Sequence, residues 1–304
     1  MAFTAKDVQA LREKTGCGMM ECKKALTEAD GNMEKAAEIL REKGMAQQAK
    51  KASRVASEGV VCAIVDEAKK VAAVIEVNSE TDFVGKNQDF VAFVEQCAKT
   101  VIDQNPTDVE ALEKCTISGG SELVADVLRE KILTIGENLK IRRFARFEGV
   151  TETYVHGGGR IGVMVKFESP ADVAAKPEFK AYGKDVAMQI AAAMPTYLNK
   201  EAVPADVVEK EKEILTAQAI NEGKPANIAE KMVQGRIAKY YKEVCLLEQA
   251  FVKNGDISIT QYTEQTGKEL GGNIEILEFV RFEKGEGIEK REDNFADEVA
   301  KMVQ

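Results

Sequence analysis

Two five-residue segments constrain the fold of this chain more than any other feature. Phe144-Ala-Arg-Phe-Glu148 and Phe279-Val-Arg-Phe-Glu283 differ at one position, and each closes a run with the same order of elements. Ahead of the first, residues 59–66 and 70–77 read as the two strands of a β-hairpin and the stretch Thr81-Asp82-Phe83-Val84 follows. A helix from near Gln88 then places Phe90, Phe93, Val94, Cys97 and Val101 on one face and is broken at Asn105-Pro106. A second helix over 121–138 carries Leu123, Val127, Ile132 and Ile135, with Gly136 near its end, and a strand follows at 141–148. Ahead of the second pentapeptide come a hairpin at 152–155 and 160–167, a helix at 178–193, a long interruption and a strand at 274–283. The expected fold class is α+β: two related core subdomains, each a small antiparallel sheet covered by helices.

The interruption, residues 199–242, reads as two helices joined by Gly223-Lys-Pro225, the first opened by Pro204. Val207, Val208, Ile214 and Leu215 lie on one helix, and Ile228, Met232, Ile237 and Tyr241 on the other. An antiparallel helical hairpin of this kind leaves an apolar seam that calls for a partner or a second copy of the chain. Residues 4–44 read as three short helices. Thr4 and Asp7 form a capping box on the first, Met19-Met20 lies in the break before the second, and Gly44 caps the end of the third. Met19 and Met20 are either part of that small core or a soft contact surface. Residues 45–58 read as a helical connector, whose Lys50, Lys51 and Arg54 suit a solvated face. Phe295, Val299 and Met302 lie at helical spacing near the end of the chain. The expected division is 1–54, 55–149, 150–283 with the hairpin inserted at 199–242, and 284–304.

At 304 residues the chain has room for about two ordinary domains. With 44% hydrophobic and 31% charged residues, it has a globular rather than a disordered composition. No apolar run reaches the ~18 residues of a membrane span, and the first residues lack the pattern of a signal peptide. Six scattered cysteines suit reduced thiols, so a cytoplasmic protein is expected. A net charge of −9 argues against direct nucleic-acid binding, which needs a basic face.

Catalytic chemistry is sparse. His156 is the single histidine, so any triad, His-based metal site or His general base would have to be built around it. Gly157-Gly-Gly159-Arg-Ile-Gly162 matches a dinucleotide fingerprint but lies between two hairpin strands rather than at a strand-to-helix turn. Cys17 and Cys22 have no second cysteine pair to complete a zinc site. No cofactor or metal is expected, and the pattern is that of a binding protein acting on another protein. The stretch Thr81–Val84 is where a binding loop would sit. From the residues alone, Phe83 either tucks back into the core, with Asp82 capping a turn, or is presented to a partner.

A set of motifs then gives a resemblance over essentially the whole chain. They are Leu11-Arg-Glu-Lys-Thr-Gly-Cys-Gly-Met-Met-Glu-Cys-Lys-Lys-Ala-Leu26, Glu76-Val-Asn-Ser-Glu-Thr-Asp-Phe-Val84, and His156-Gly-Gly-Gly-Arg-Ile-Gly-Val163. Gly223-Lys-Pro225 with Ile228-Ala-Glu-Lys-Met-Val-Gln-Gly-Arg236, and Gly285-Glu-Gly-Ile288, complete the set. In this order they resemble the bacterial elongation factor Ts family, guanine-nucleotide exchange factors for elongation factor Tu. The resemblance implies a ubiquitin-associated-like N-terminal bundle in which Arg12, Met19 and Met20 contact the partner's nucleotide-binding domain. It implies that Thr81, Asp82, Phe83 and Val84 act near the partner's Mg²⁺ and phosphate-binding region, and that His156 also touches the partner there. Elongation factor Tu, GDP-bound or nucleotide-free, is the implied partner, with the helical hairpin and the C-terminal helix as further contact elements. A different class of function stays open beside it: a non-catalytic dimeric adaptor or scaffold that self-associates through the hairpin. An enzyme built around His156 is a third.

Overall fold

The computed structural model describes residues 3–289, apart from 16 and 224. The expected C-terminal helix with Phe295, Val299 and Met302 lies outside the described residues. Three helices open the chain, α1 (Ala5–Thr15), α2 (Met19–Glu28) and α3 (Met33–Lys51). The capping box forms as its spacing predicts: Thr4 N–H donates to Asp7 Oδ2 at 2.6 Å, and Asp7 N–H to Thr4 Oγ1 at 3.4 Å. Val8, Leu11, Cys22, Ala25, Leu26, Ala36 and Leu40 make the core of this bundle.

Two expectations fail here. Gly44 does not end the third helix, which runs on through it to Lys51 and absorbs the first half of the connector. The helix Val124–Ile135 passes close by at this point, and a Cβ on Gly44 would lie at ordinary contact distance, 3.8 Å from the Arg129 carbonyl and 3.9 Å from Leu133. Met19 and Met20 do not sit in a loop but form the first turn of α2.

The next elements are β1 (Glu58–Asp66), β2 (Val71–Ser79), α4 (Gln88–Gln104), α5 (Val109–Glu113), α6 (Val124–Ile135) and β3 (Lys140–Glu148). β2 runs two residues past the expected strand, so Asn78 and Ser79 belong to it rather than to a bend. Leu123 precedes α6 and is exposed, while Val124, Leu128 and Ile132 form the buried face of that helix. The second half follows with β4 (Val150–His156), β5 (Ile161–Glu168), α7 (Ala171–Ala174), α8 (Pro177–Ala193), α9 (Ala205–Asn221) and α10 (Ala226–Val244). It closes with β6 (Ala250–Phe251), β7 (Asn254–Ser258), α11 (Ile259–Leu270) and β8 (Glu275–Glu283).

The repeated pentapeptide marks a repeated architecture. The sheets β1-β2-β3 and β4-β5-β8 are both antiparallel with the same strand order. In each, the last glutamate of the pentapeptide faces the first residue of the middle strand: Glu148 opposite Val71, and Glu283 opposite Ile161. The ladder is interrupted at the same place, between Glu76 and Val77 and between Lys166 and Phe167. The arginine of each pentapeptide pairs with its own glutamate, Arg146 with Glu148 at 2.5 Å and Arg281 with Glu283 at 2.6 Å. The covering helices match as well. α4 and α8 have 17 residues each and end in left-handed residues, Asn105 and Met194; α6 and α11 have 12 each and end in left-handed glycines, Gly136 and Gly271.

Successive side chains of a strand face opposite ways, so the middle strands feed two cores. Val71, Ala73, Ile75 and Val77 of β2 pack under α4 with Phe90 and Phe93. Ile161, Val163, Val165 and Phe167 of β5 pack under α8 with Phe179 and Tyr182. Each of these buried aromatic side chains contributes about 1.5–3 kcal/mol. The other faces meet between the sheets, where Val61, Ala72, Val74 and Met164 form a separate cluster. The layers therefore run helix, sheet, sheet, helix. Gly162 sets the closeness of the two sheets, because a Cβ there would stand 2.4 Å from Val61 Cγ1.

The interruption is a helical hairpin as expected. Its base is closed by Leu246 N–H donating to the Tyr197 carbonyl at 2.9 Å. Ala219, Val233 and Ile237 are buried along its length, while Ile214, Ile220 and Ile228 stay exposed.

Candidate functional site

The chain from Ser79 to Asn87 leaves β2, turns and enters α4. Each end is fastened. Asn87 caps α4, its side-chain oxygen accepting from Asp89 N at 2.9 Å and Phe90 N at 3.2 Å. A single 3₁₀ turn, Val84–Lys86, precedes it, with Lys86 N–H on the Phe83 carbonyl at 3.1 Å and Asn87 N–H on the Val84 carbonyl at 2.9 Å. Val84 is buried in the core shared by β2 and α4, so it anchors the turn from inside. Gly85 lies so close to β1 that a Cβ would come within 2.7 Å of the Gly59 carbonyl. At the other end, Glu137 accepts from Thr81 N–H at 2.9 Å and from the Thr81 hydroxyl at 2.6 Å.

Between these anchors Asp82 and Phe83 project. Phe83 is 78% exposed, the most exposed large apolar side chain among the described residues. Holding it in water forgoes the 1.5–3 kcal/mol or so that burying it would contribute. Lys86 Nζ binds Asp82 Oδ2 at 2.7 Å and stands 5.8 Å from the centre of the Phe83 ring. That hydrogen bond holds the Asp82 carboxyl below its usual range against the opposing effect of desolvation, and the charges of Lys86 and Lys284 add to the lowering.

A second loop borders the same end of β1. His156 closes β4, and its Nδ1 lies 3.0 Å from the Tyr154 hydroxyl. The glycine turn after it leans on β1, the Gly159 carbonyl accepting from Val61 N–H at 2.8 Å. Lys284, just past β8, ties the glycine turn to the start of β1: its N–H donates to the Arg160 carbonyl at 2.8 Å and its Nζ pairs with Glu58 at 2.5 Å. The Phe83 loop, through Gly85, and the turn after His156, through Gly159, thus both pack against the start of β1, and Lys284 lies near enough for its charge to act on Asp82.

Arg12, Met19 and Met20 lie elsewhere, on the N-terminal bundle. Arg12 is exposed on α1, and Met19 and Met20 are 51% and 63% exposed at the start of α2. No hydrogen bond or ion pair among the described residues joins them to the Phe83 loop. The bundle rests instead on α6, where Arg41 Nη2 meets Asp126 Oδ1 at 2.9 Å. A cavity of about 290 Å³ beneath the bundle is lined by Lys14, Arg41, Asp126 and Arg129 and shares no residue with the Phe83 loop. The loop is a projection and offers no cleft. Among the described residues no group of three or more His, Cys, Asp or Glu is placed to hold a metal, and no helix is long and apolar enough to cross a membrane.

Several groups that shape this site escape a reading of the sequence. Glu137 is one, because its bonds to Thr81 span 56 residues. Glu76 is another, although a lone acid inside a buried apolar strand is a signal that it must be paired. It is fully buried and accepts from Arg142 Nη1 at 3.0 Å, Arg143 Nε at 2.6 Å, Asn78 Nδ2 at 3.0 Å and Gly285 N–H at 2.8 Å. Burial alone would raise its carboxyl, but these four donors outweigh burial and hold it below its ordinary value of 4.5. The pair formed by Glu76 and Gly285 ties the strand that feeds the Phe83 loop to the end of the second sheet.

The chain is similar to known proteins over nearly its whole length. The family model described as elongation factor TS matches residues 80–286. Two proteins named elongation factor Ts from strains of Clostridium perfringens, SM101 and ATCC 13124, are each 55% identical over 303 residues, covering 99% of this chain and 99% of their own. One from Clostridium botulinum Eklund 17B is 53% identical over 304 residues with the same coverage.

Proposed function

The chain belongs to the elongation factor Ts family and is thereby a translation elongation factor, and from that premise we propose how it works. It binds GDP-bound elongation factor Tu and accelerates GDP release, leaving a nucleotide-free complex to which GTP rebinds. It acts in the cytoplasm by binding, with no covalent chemistry and no cofactor of its own. Guanine nucleotides are held by phosphate-loop amides, a lysine and Mg²⁺, so a disturbance of that region loosens them. Phe83 enters beside these elements as a wedge, Asp82 adds a negative charge near the metal, and Thr81 and Val84 hold the two in place. His156 extends the same contact. Arg12, Met19 and Met20 form a separate docking point on the partner's nucleotide-binding domain. In this reading residues 1–54 dock, 55–149 carry the exchange loop, 150–283 complete the surface, and 284–304 with the inserted hairpin add contacts.

One observation carries the proposal: Phe83 is 78% exposed at the tip of a loop whose two ends are anchored. A wedge must be outside the core before it meets its target. Burying a phenyl ring contributes about 1.5–3 kcal/mol, equivalent to roughly one to two powers of ten in an equilibrium. Coupling is reciprocal, so a factor that weakens GDP binding is itself weakened by GDP to the same extent.

The test is the release of a fluorescent GDP analogue from purified elongation factor Tu. Phe83→Ala is expected to slow the stimulated release by about ten- to a hundredfold. Asp82→Ala has a smaller effect in the same direction. Unchanged stimulation by a folded Phe83→Ala protein would sink the wedge. The scaffold reading draws on the exposed Ile214, Ile220 and Ile228 of the helical hairpin. It requires self-association of the chain and no effect on GDP release, so the same assay, with sizing of the free protein, separates the two.

A further inference from the structure

Thr81 stands at the foot of the projecting loop, and all of its polar groups are engaged. Its N–H and hydroxyl donate to the two carboxylate oxygens of Glu137, and its carbonyl accepts from Ser79 Oγ at 2.9 Å. The neighbouring residues tie the same two segments in the opposite sense. Glu80 Oε1 accepts from Asn138 N–H at 2.6 Å and from Arg54 Nη1 at 3.4 Å. Asn138, itself buried, donates through Nδ2 to the Arg54 carbonyl at 2.8 Å. Two carboxylates, one on each segment, therefore cross-link residues 80–81 to residues 137–138.

The next residues outward are Asp82 and Phe83. Their backbone leaves Thr81 in a direction set by the clamp, because a residue bonded through N–H, hydroxyl and carbonyl has little freedom to rotate. Hydrogen bonds to a carboxylate are shorter and stronger than neutral ones, which suits them to this task. Glu137 also follows directly on Gly136, the cap of α6, and α6 is the helix on which the N-terminal bundle rests. The direction of Phe83 is thereby referred to the element that carries the other docking point.

We propose that Glu137 is a positioning residue for nucleotide exchange: through Thr81 it holds the Phe83 loop in its projecting geometry relative to α6. This rests on the exchange reading given above. Glu137 touches neither nucleotide nor partner in this account. Without it, the loop is in its productive pose for only part of the time, and the maximal exchange rate falls by that fraction while docking through the bundle persists.

The experiment titrates full-length variants against elongation factor Tu loaded with the fluorescent GDP analogue and reads two quantities, the maximal release rate and the half-saturating concentration. Glu137→Ala is expected to lower the maximal rate about tenfold and to move half-saturation by no more than about twofold. Glu137→Gln, which keeps one acceptor, falls between it and the wild type. Thr81→Val lowers the rate in the wild-type background but costs nothing further in the Glu137→Ala background, since both remove the same clamp. A folded Glu137→Ala protein with the full maximal rate overturns the proposal, as do losses from Glu137→Ala and Thr81→Val that simply add. If Glu137→Ala fails to fold, Glu137→Gln and the Thr81→Val single and double variants decide by the same criteria. Phe83→Ala, run in parallel, separates the levels. Full rates in Phe83→Ala overturn the exchange reading and this inference with it, whereas loss there with full rates in the clamp variants overturns the positioning role alone.

Discussion

The two halves of the molecule solve the same connection in opposite ways. In both, the middle strand must hand the chain to a 17-residue helix across its face, from β2 to α4 and from β5 to α8. In the second half the link is α7, whose Val173 is fully buried against Gly272, where a Cβ would come within 2.7 Å of it. In the first half the link carries Phe83 outward and buries Val84 beneath it. The middle strands differ too. Just before the matching break in register, β2 has the buried Glu76 and β5 has Lys166, whose partner Glu278 is half exposed. A repeated scaffold therefore does not imply a repeated function. The sheets and helices set where the connection runs, and a few side chains decide whether it closes a core or presents a contact.

Three experiments break or sharpen this contrast. The largest effect is expected at the paired positions in the middle strands. Glu76→Ala leaves Arg142 and Arg143 without their buried partner and should cost about 3–5 kcal/mol in denaturant unfolding. Lys166→Ala removes a partly solvated pair and should cost less than about 1 kcal/mol. Equal losses would mean that the two strands carry equivalent load after all. Next come the links themselves. Val173→Ala should lower stability by about 2 kcal/mol and leave nucleotide exchange intact. Phe83→Ala should do the reverse, shifting stability by no more than about 0.5 kcal/mol while slowing exchange. A stability loss in Phe83→Ala comparable to that in Val173→Ala would show that the ring is buried in solution.

The smallest effect is a dependence on pH. The folded Glu76 carboxyl lies below its ordinary value of 4.5, so its contribution is complete above 4.5 and is lost as pH falls through the folded value. The difference in unfolding free energy between wild type and Glu76→Gln should therefore be constant near neutrality and narrow as the solution is acidified below 4.5. A gap that persists unchanged at acid pH would show that folding does not lower the Glu76 carboxyl.

Much of this protein is legible in its sequence. Short apolar β-rich runs, helical spacing, the Thr4–Asp7 capping box and the repeated pentapeptide are local patterns, and local patterns specify local elements. The change from strand pattern to helix pattern marked Thr81–Val84 as a loop, and the family motifs implied a partner for Asp82 and Phe83. The sparse catalytic residues pointed toward a binding role. What the tertiary structure decided were the questions that need a neighbour from far along the chain. The fully buried β2 implied cover on both faces, but only the structure puts the second sheet on one of them, with Gly162 allowing the approach. Gly44 reads as a helix stop, yet α3 runs through it to Lys51. Phe83 could equally have folded inward. It stays out because Val84 takes the place in the core and because Glu137, 56 residues beyond Thr81, holds the foot of the loop. Hydrogen bonds and packing across such separations leave no periodic trace in the chain, since they are set by the meeting of elements rather than by the elements themselves.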